Sequence, residues 1–417
     1  MFYNIIVLMM TSTVIYNLSD IKEFKEIING SKVSNILKLN KVECRTKNNA
    51  EYKVVRYDKN FLANDLISRY GLFRSVVINT NNKVVVFSPP KSLSSDDFMV
   101  KYNNITDDIT AEEFVEGTMI NLFWDDTLGL NGCWEISTRN TVGATSSFYK
   151  GPKAKTFREM FLEAASENNL VLENLDKKYC YSFVLQHPEN RIVVPFNNPY
   201  LYLVAIYSIQ DQNENVCVEA YEVHEFKKMF ENTKVKFPEI YKFEKYSQLI
   251  EKYSSMNTSY NIVGVVIRNK TTGERSKIRN PVYEQVRMLR GNQPKLQYQY
   301  LSLRKEGKVG EFLKYYPENK KEFSQFRDQL HLFTQTLFSN YVACFIKKIK
   351  KLEEFSSQYK IHMYNIHQKY INELREEKKF VNHYFVIQFV NGLHPSLLMY
   401  SLNFHMRKRY IDAEANI

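Results

Sequence analysis

Hydrophobic and polar positions change their period part-way along the chain. Up to about residue 280, short apolar runs and alternations are cut by turn residues; beyond it, apolar residues return at helical spacing. The runs at 52–56, 76–78, 84–87, 134–138, 181–186, 191–195 and 201–209 predict strands, and 1–10 predicts a first strand. Residues 115–125 predict a strand pair, and Pro89-Pro90 ends a hairpin that turns at 79–83. Helical periodicity marks 19–28, 156–168, 224–230 and 246–253, and then 282–289, 296–303, 309–315, 321–352, 359–375 and 381–391. Many short strands with a few helices, followed by helices alone, predict an α+β domain of antiparallel sheets over 1–290. An all-α domain follows over 291–417.

The stretch 261–283 concentrates chemistry. Ile262, Val263, Val265, Val266 and Ile267 predict a strand, 270–273 a turn, and Arg275, Lys277 and Arg279 alternate on the returning strand. Alternation points all three cations to one face, with Ser276 and Ile278 on the other. Such a hairpin suits a bound phosphate; a solvated basic edge is the alternative.

The composition, with 44% hydrophobic and 25% charged residues, is that of a globular chain. No segment reaches 18 uncharged apolar residues, so no transmembrane helix is expected. Five scattered cysteines, none at metal-ligand spacing, suit a reducing, intracellular setting, and no metal site is assigned. The net charge is +11, and residues 287–417 hold 22 Lys and Arg against 12 Asp and Glu, so nearly all of the excess lies there. A basic helical module predicts a polyanion partner, RNA first. Abundant Asn, Lys, Ile and Tyr suit an AT-rich genome, as in large DNA viruses.

Four ordered blocks carry a resemblance: Arg74 with SPPKS (88–92); FVEGTMI (114–120) with WEISTRNTVGA (134–144); FVLQHPENRIV (183–193); and VGVVIRN with SKIRN (263–280). Over roughly 50–285 they resemble the nucleotidyltransferase module of phage T4-type RNA ligases, whose superfamily includes DNA ligases and capping enzymes. The resemblance implies an ATP-grasp-like nucleotidyltransferase fold, ATP with a divalent metal such as Mg, and RNA as partner. It implies a lysine–AMP phosphoramidate, with AMP then passed to an RNA 5′-phosphate. It places Arg74, Glu116, Gly117, Arg139, Arg191, Lys277 and Arg279 around phosphate and sugar, so Glu116, Lys277 and Arg279 should share one cleft.

The chain departs from the pattern where the chemistry is. Phe114 stands at the nucleophile position, and Val184 and Val263 stand where carboxylates are expected. The first expectation is therefore RNA-end or nucleotide binding through a cationic cleft, without covalent lysine adenylylation. Alternatives are an active ligase or capping-like enzyme with a relocated lysine, for which Lys91 is the candidate, and a structural or interaction protein. His187, in the turn before Pro188, suits a turn hydrogen bond better than catalysis. In the helical domain, Arg290 and Lys295 interleave with Tyr298 and Tyr300, which suits phosphate pairing and base stacking; tyrosines packed against the first domain are the alternative. Lys347, Lys348, Lys350 and Lys351, expected within a long helix, add a basic face.

Overall fold

The cationic strand of 275–279 sits at the edge of one of three antiparallel sheets. The computed structural model describes residues 14–28, 39–46, 49–60, 62–148, 154–212 and 215–406. In chain order its strands are β1 (Val14–Asn17), β2 (Leu39–Arg45), β3 (Glu51–Tyr57), β4 (Val76–Ile78), β5 (Val84–Val86), β6 (Ile109–Glu113) and β7 (Thr118–Asp125). They continue with β8 (Cys133–Ser137), β9 (Tyr179–Gln186), β10 (Tyr200–Gln212), β11 (Asn215–Tyr221), β12 (Ile240–Tyr241), β13 (Gly264–Asn269) and β14 (Arg275–Arg279). One sheet runs β1-β11-β10-β9-β7-β8, a second β12-β6-β13-β14 and a third β2-β3-β4-β5. The strand expected over 1–10 lies outside the described residues.

The six-stranded sheet is covered on both faces. Ile120, Leu122, Phe183 and Leu201 pack with Phe161 and Ala164 of the helix Phe157–Glu167, whose Thr156 and Glu159 form a capping box. Tyr207 and Val218 pack against Val55, Val76 and Ile78 of the third sheet. The β12-β6-β13-β14 sheet buries Ala111, Val265, Ile267 and Ile278 with Phe98 and Leu249. Its other row of side chains faces the site described below. Residues 110–125 are thus two strands in different sheets, joined at 114–117.

The segment 191–195 is not a strand. Pro188 opens a single tight turn, Pro188–Asn190, and the amides of Val193 and Val194 are taken by the Glu116 carboxylate rather than by a neighbouring strand. His187 accepts the amide of Glu189 through Nδ1, which makes it a turn cap.

The chain divides into two compact units, Met1–Gln285 and Val286–Ile417. The second is helical: α-helices Leu296–Lys305, Val309–Tyr315, Lys320–Tyr341, Ser357–Lys369, His383–Gly392 and Pro395–Leu402 enclose Tyr300, Phe312, Phe323, Phe333, Met363 and Val386. Phe333 stacks on Tyr359, and Phe345 stacks on His367, so the helices Lys320–Tyr341 and Ser357–Lys369 run in the same direction. The long helix expected over 321–352 stops at Tyr341, widens through one π turn, Val342–Ile346, and ends. Lys347–Lys351 is not helical, and Lys348 has φ +52°. In a helix these four ammonium groups would meet at i, i+3 and i, i+4 spacing, where like charges repel. All five cysteines are free thiols. Among the described residues no helix is long and apolar enough to cross a membrane.

Candidate functional site

Register builds the site. Val266 of β13 pairs with Lys277 of β14 on one side and with Glu112 of β6 on the other, so the three form one cross-strand row. Opposite them, Met119 pairs with Val184, and a bulge between Leu203 and Ala205 directs Val204 to the same space. The two sheets enclose a cavity of about 150 Å³ that Arg74, Phe114, Gly117 and Arg275 also line. On β14 the alternation holds: Ser276 and Ile278 are buried, Arg275 and Lys277 half-buried, Arg279 exposed.

The cavity is cationic and poorly neutralised. Among the described residues no carboxylate comes within ion-pair range of Arg74, Lys91, Arg139, Arg275 or Lys277. Lys277 Nζ lies 4.5 Å from the centre of the Phe114 ring, and Arg279 Cζ lies 5.3 Å from it. The Lys277 amine is pushed down to about 6, first by loss of water and then by the charges of Arg275, Arg74, Arg279 and Lys91. Arg74 is pushed down to about 10, by burial first and by Arg275 next. The Arg275 guanidinium donates to the carbonyls of Pro89 and Pro90, which ties the loop carrying Lys91 to the sheet. Lys91 is exposed, and its amine donates to Ser92 O at 3.1 Å. Its affinity for a proton is lowered by desolvation and then by Arg74, Arg139 and Arg279.

Other expected residues serve the frame. Glu116 is buried; its carboxylate accepts the amides of Val193 (3.0 Å) and Val194 (3.1 Å), and it is not part of the cavity lining beside Lys277. A buried carboxylate next to two amides with no strand partner satisfies them. Gly117 does line the cavity: at φ +150° a Cβ would come 2.5 Å from Leu185 O, so only glycine lets the chain pass β9 there. Arg191 donates to Val193 O within its own loop. Arg139 lies over the Tyr57 ring, 5.4 Å away. Arg279 pairs with Glu284 at 2.8 Å. Val184 lines the cavity, while Val263 is buried and accepts the amide of Asn280.

Glu112 and Glu113, which sequence reasoning passed over, are cavity carboxylates. Both carboxyls are raised, chiefly by desolvation; Arg268 and Arg275 act against this at Glu112, and the Glu239 amide acts against it at Glu113. The donor set does not fit a divalent cation: apolar Val184 and Val266 and the surrounding guanidinium groups oppose one. Among the described residues no three His, Cys, Asp or Glu side chains are grouped to hold a metal.

In the helical unit Lys295 and Lys347, Lys348, Lys350 and Lys351 are exposed and Tyr298 is half-buried. Tyr300, by contrast, is core: 4% exposed, against Phe323 and Phe326. Its ring cannot stack on a base without unpacking the unit. Arg290 is also buried.

Over 107 residues the chain is 30% identical to an RNA ligase of Rhodothermus phage RM378. The chain resembles RNA ligases. That match covers 24% of this chain and 23% of the phage protein, so less than a quarter of the relative's length is spanned. No protein-family model matches. Among solved structures, an archaeal ATP-dependent RNA ligase is similar at TM-score 0.40 and 12% identity, over 74% of this chain and 76% of that one. A second form of it gives 0.36 and 10%, over 90% and 77%. A mutant Naegleria gruberi RNA ligase with ATP and Mn gives 0.33 and 12%, over 48% and 57%.

Proposed function

We propose that the N-terminal unit binds the 5′-phosphate end of RNA, or the phosphates of a nucleotide such as ATP, with no lysine adenylylation at position 114. The observation that carries this reading is the pair of guanidinium groups of Arg74 and Arg275 that face one cavity without a paired carboxylate, with the Lys277 amine beside them as a further donor. Charges gathered at such cost in repulsion and desolvation are compensated by an anion. At about 150 Å³ the cavity falls below the roughly 300–1,000 Å³ of pockets that engulf a small molecule. It therefore houses a phosphoryl group, and the rest of the ligand lies outside. Phe114 has no atom that could attack phosphorus.

The test compares 5′-phosphorylated and 5′-hydroxyl versions of one RNA oligonucleotide against the full chain. The phosphorylated form should bind at least tenfold tighter, and Arg74→Ala should remove the difference. Equal affinity for both would overturn the reading and favour a structural or interaction role. A second contact is proposed for the helical unit, through Lys295, Tyr298, Lys347, Lys348, Lys350 and Lys351, because these four clustered lysines are exposed and have no carboxylate partner among the described residues.

A further inference from the structure

One end of the helical unit brings together two loops that are distant in the chain. Tyr341 Oη and His367 Nδ1 lie 3.3 Å apart, Phe345 stacks on His367 at 3.9 Å between ring centres, and Phe338 meets His383 at 5.4 Å. The ends of the helices Lys320–Tyr341 and Ser357–Lys369 and the start of the helix His383–Gly392 therefore lie together. One loop leaves this end through Lys347, Lys348, Lys350 and Lys351, and the other returns to it through Phe380.

The local chain turns two aromatic rings outward there. Asn382 caps the helix His383–Gly392 by accepting the amide of Phe385. Val381 before it is buried, and so is Val386 in the first turn. That is the arrangement of a hydrophobic staple, which sets the angle at which the chain enters the helix. With Val381 held inward, Phe380 is 80% exposed, and Tyr384, four residues on, is 68% exposed. Single exposed apolar side chains are ordinary; two aromatic rings beside four unneutralised lysines make a composite surface. We infer that Phe380 and Tyr384 form a stacking platform for unpaired bases of single-stranded RNA whose phosphates meet Lys347, Lys348, Lys350 and Lys351. This rests on the reading of those lysines as an RNA contact, and adds to it a requirement for unpaired bases.

The chemistry of the two loops is complementary. The lysines attract phosphate, while the rings offer π faces that accept any base. A duplex hides the faces of its bases, and stacking is not ionic, so ring contacts and lysine contacts leave separate signatures. In the second loop Lys379 pairs with Glu377 at 2.6 Å, so the phosphate contact falls to the first. The stacking role that Tyr300 cannot take from the core falls to rings already in solvent. Ile349, 65% exposed among the lysines, adds apolar surface that an anionic membrane would also accept, and the test includes one.

The test uses the full chain and a short single-stranded RNA with a 5′-hydroxyl, which leaves the 5′-phosphate cavity out of the comparison. Phe380→Ala combined with Tyr384→Ala should weaken binding by about tenfold or more, without altering the slope of log affinity against log salt. Phe380→Tyr combined with Tyr384→Phe keeps both rings and should bind within about threefold of the unaltered chain. A strand of the same length built of abasic nucleotides should bind the unaltered chain and the double alanine variant alike. Equal affinity of those two proteins for the RNA, while reversal of the four lysines still flattens the salt slope, overturns this inference alone. A slope that the lysine reversal leaves unaltered refutes the RNA contact of the helical unit and this inference with it. Binding to vesicles of anionic phospholipid that the alanine pair abolishes, with RNA binding unchanged, assigns this end to a membrane surface and overturns the inference as well.

Discussion

Replacing Lys277 by methionine should stabilise the N-terminal unit, and by an amount that depends on pH. A lysine whose proton affinity is depressed in the folded state costs stability wherever the unfolded chain holds a proton that the folded one gives up. Here the folded value is about 6 against an ordinary 10.5. The cost is complete below about pH 6 and fades as pH rises toward 10.5. At roughly 1.4 kcal/mol per pH unit, it is about 4 kcal/mol at about pH 7.5 and about 1 kcal/mol at about pH 9.5. Methionine removes the titration and keeps much of the apolar stem. Its other effects, including contact with Phe114, do not titrate with it. The groups that share the neighbourhood are Arg74, Lys91, Arg275 and Arg279 among the cations and Glu112 and Glu113 among the carboxylates. Both tryptophans, Trp124 and Trp134, stand together in this unit, 5.5 Å apart, so tryptophan fluorescence in a urea titration reports on it and not on the helical unit. The gain from Lys277→Met should shrink by about 3 kcal/mol between those two pH values. A gain that stays the same at both would mean the amine is charged in the folded protein, and the account of a desolvated, free-base lysine would be wrong.

Phe114→Lys should not create a lysyl-nucleotide at residue 114. It removes the ring beneath Lys277 and Arg279 and adds a second amine there, while Val184 and Val263 still supply no carboxylate; peptide mass spectrometry checks the site. Glu116→Gln should cost about 1–3 kcal/mol in urea unfolding, since its carboxylate serves the amides of Val193 and Val194. An unchanged midpoint would show those amides find other partners. Reversing Lys347, Lys348, Lys350 and Lys351 to Glu should flatten the dependence of log affinity for single-stranded RNA on log salt by about 3, at about 0.7 per lost phosphate contact. An unaltered slope would exclude this loop from the interface.

Local signals in the sequence reached far into this structure. Alternation at 275–279 gave the correct faces because a strand's period is set by its own backbone. Val76–Ile78, Val309–Tyr315 and Tyr246–Tyr253 match their predicted bounds. What escaped depends on partners distant in the chain. Glu112 and Glu113 carry no local signal of a site, since only the register of β6 against β13 directs Glu112 to the row of Lys277. The strand expected at 191–195 failed because a glutamate more than seventy residues earlier takes its amides. Tyr300 between cations suits stacking on a base and packing in a core alike, and only Phe323 and Phe326 around it decide for packing.

Arg275 has two commitments at once. Its guanidinium spans the carbonyls of Pro89 and Pro90, while its charge acts on the cavity. A planar fork is needed for that span, so lysine is no substitute. Selection that only preserves the ordered loop at Pro89-Pro90 would therefore keep a positive charge beside the cavity as a by-product. Along a lineage that had stopped using the site, an anion preference could outlast the chemistry it once served. Weak phosphate affinity by itself is then poor testimony to present use.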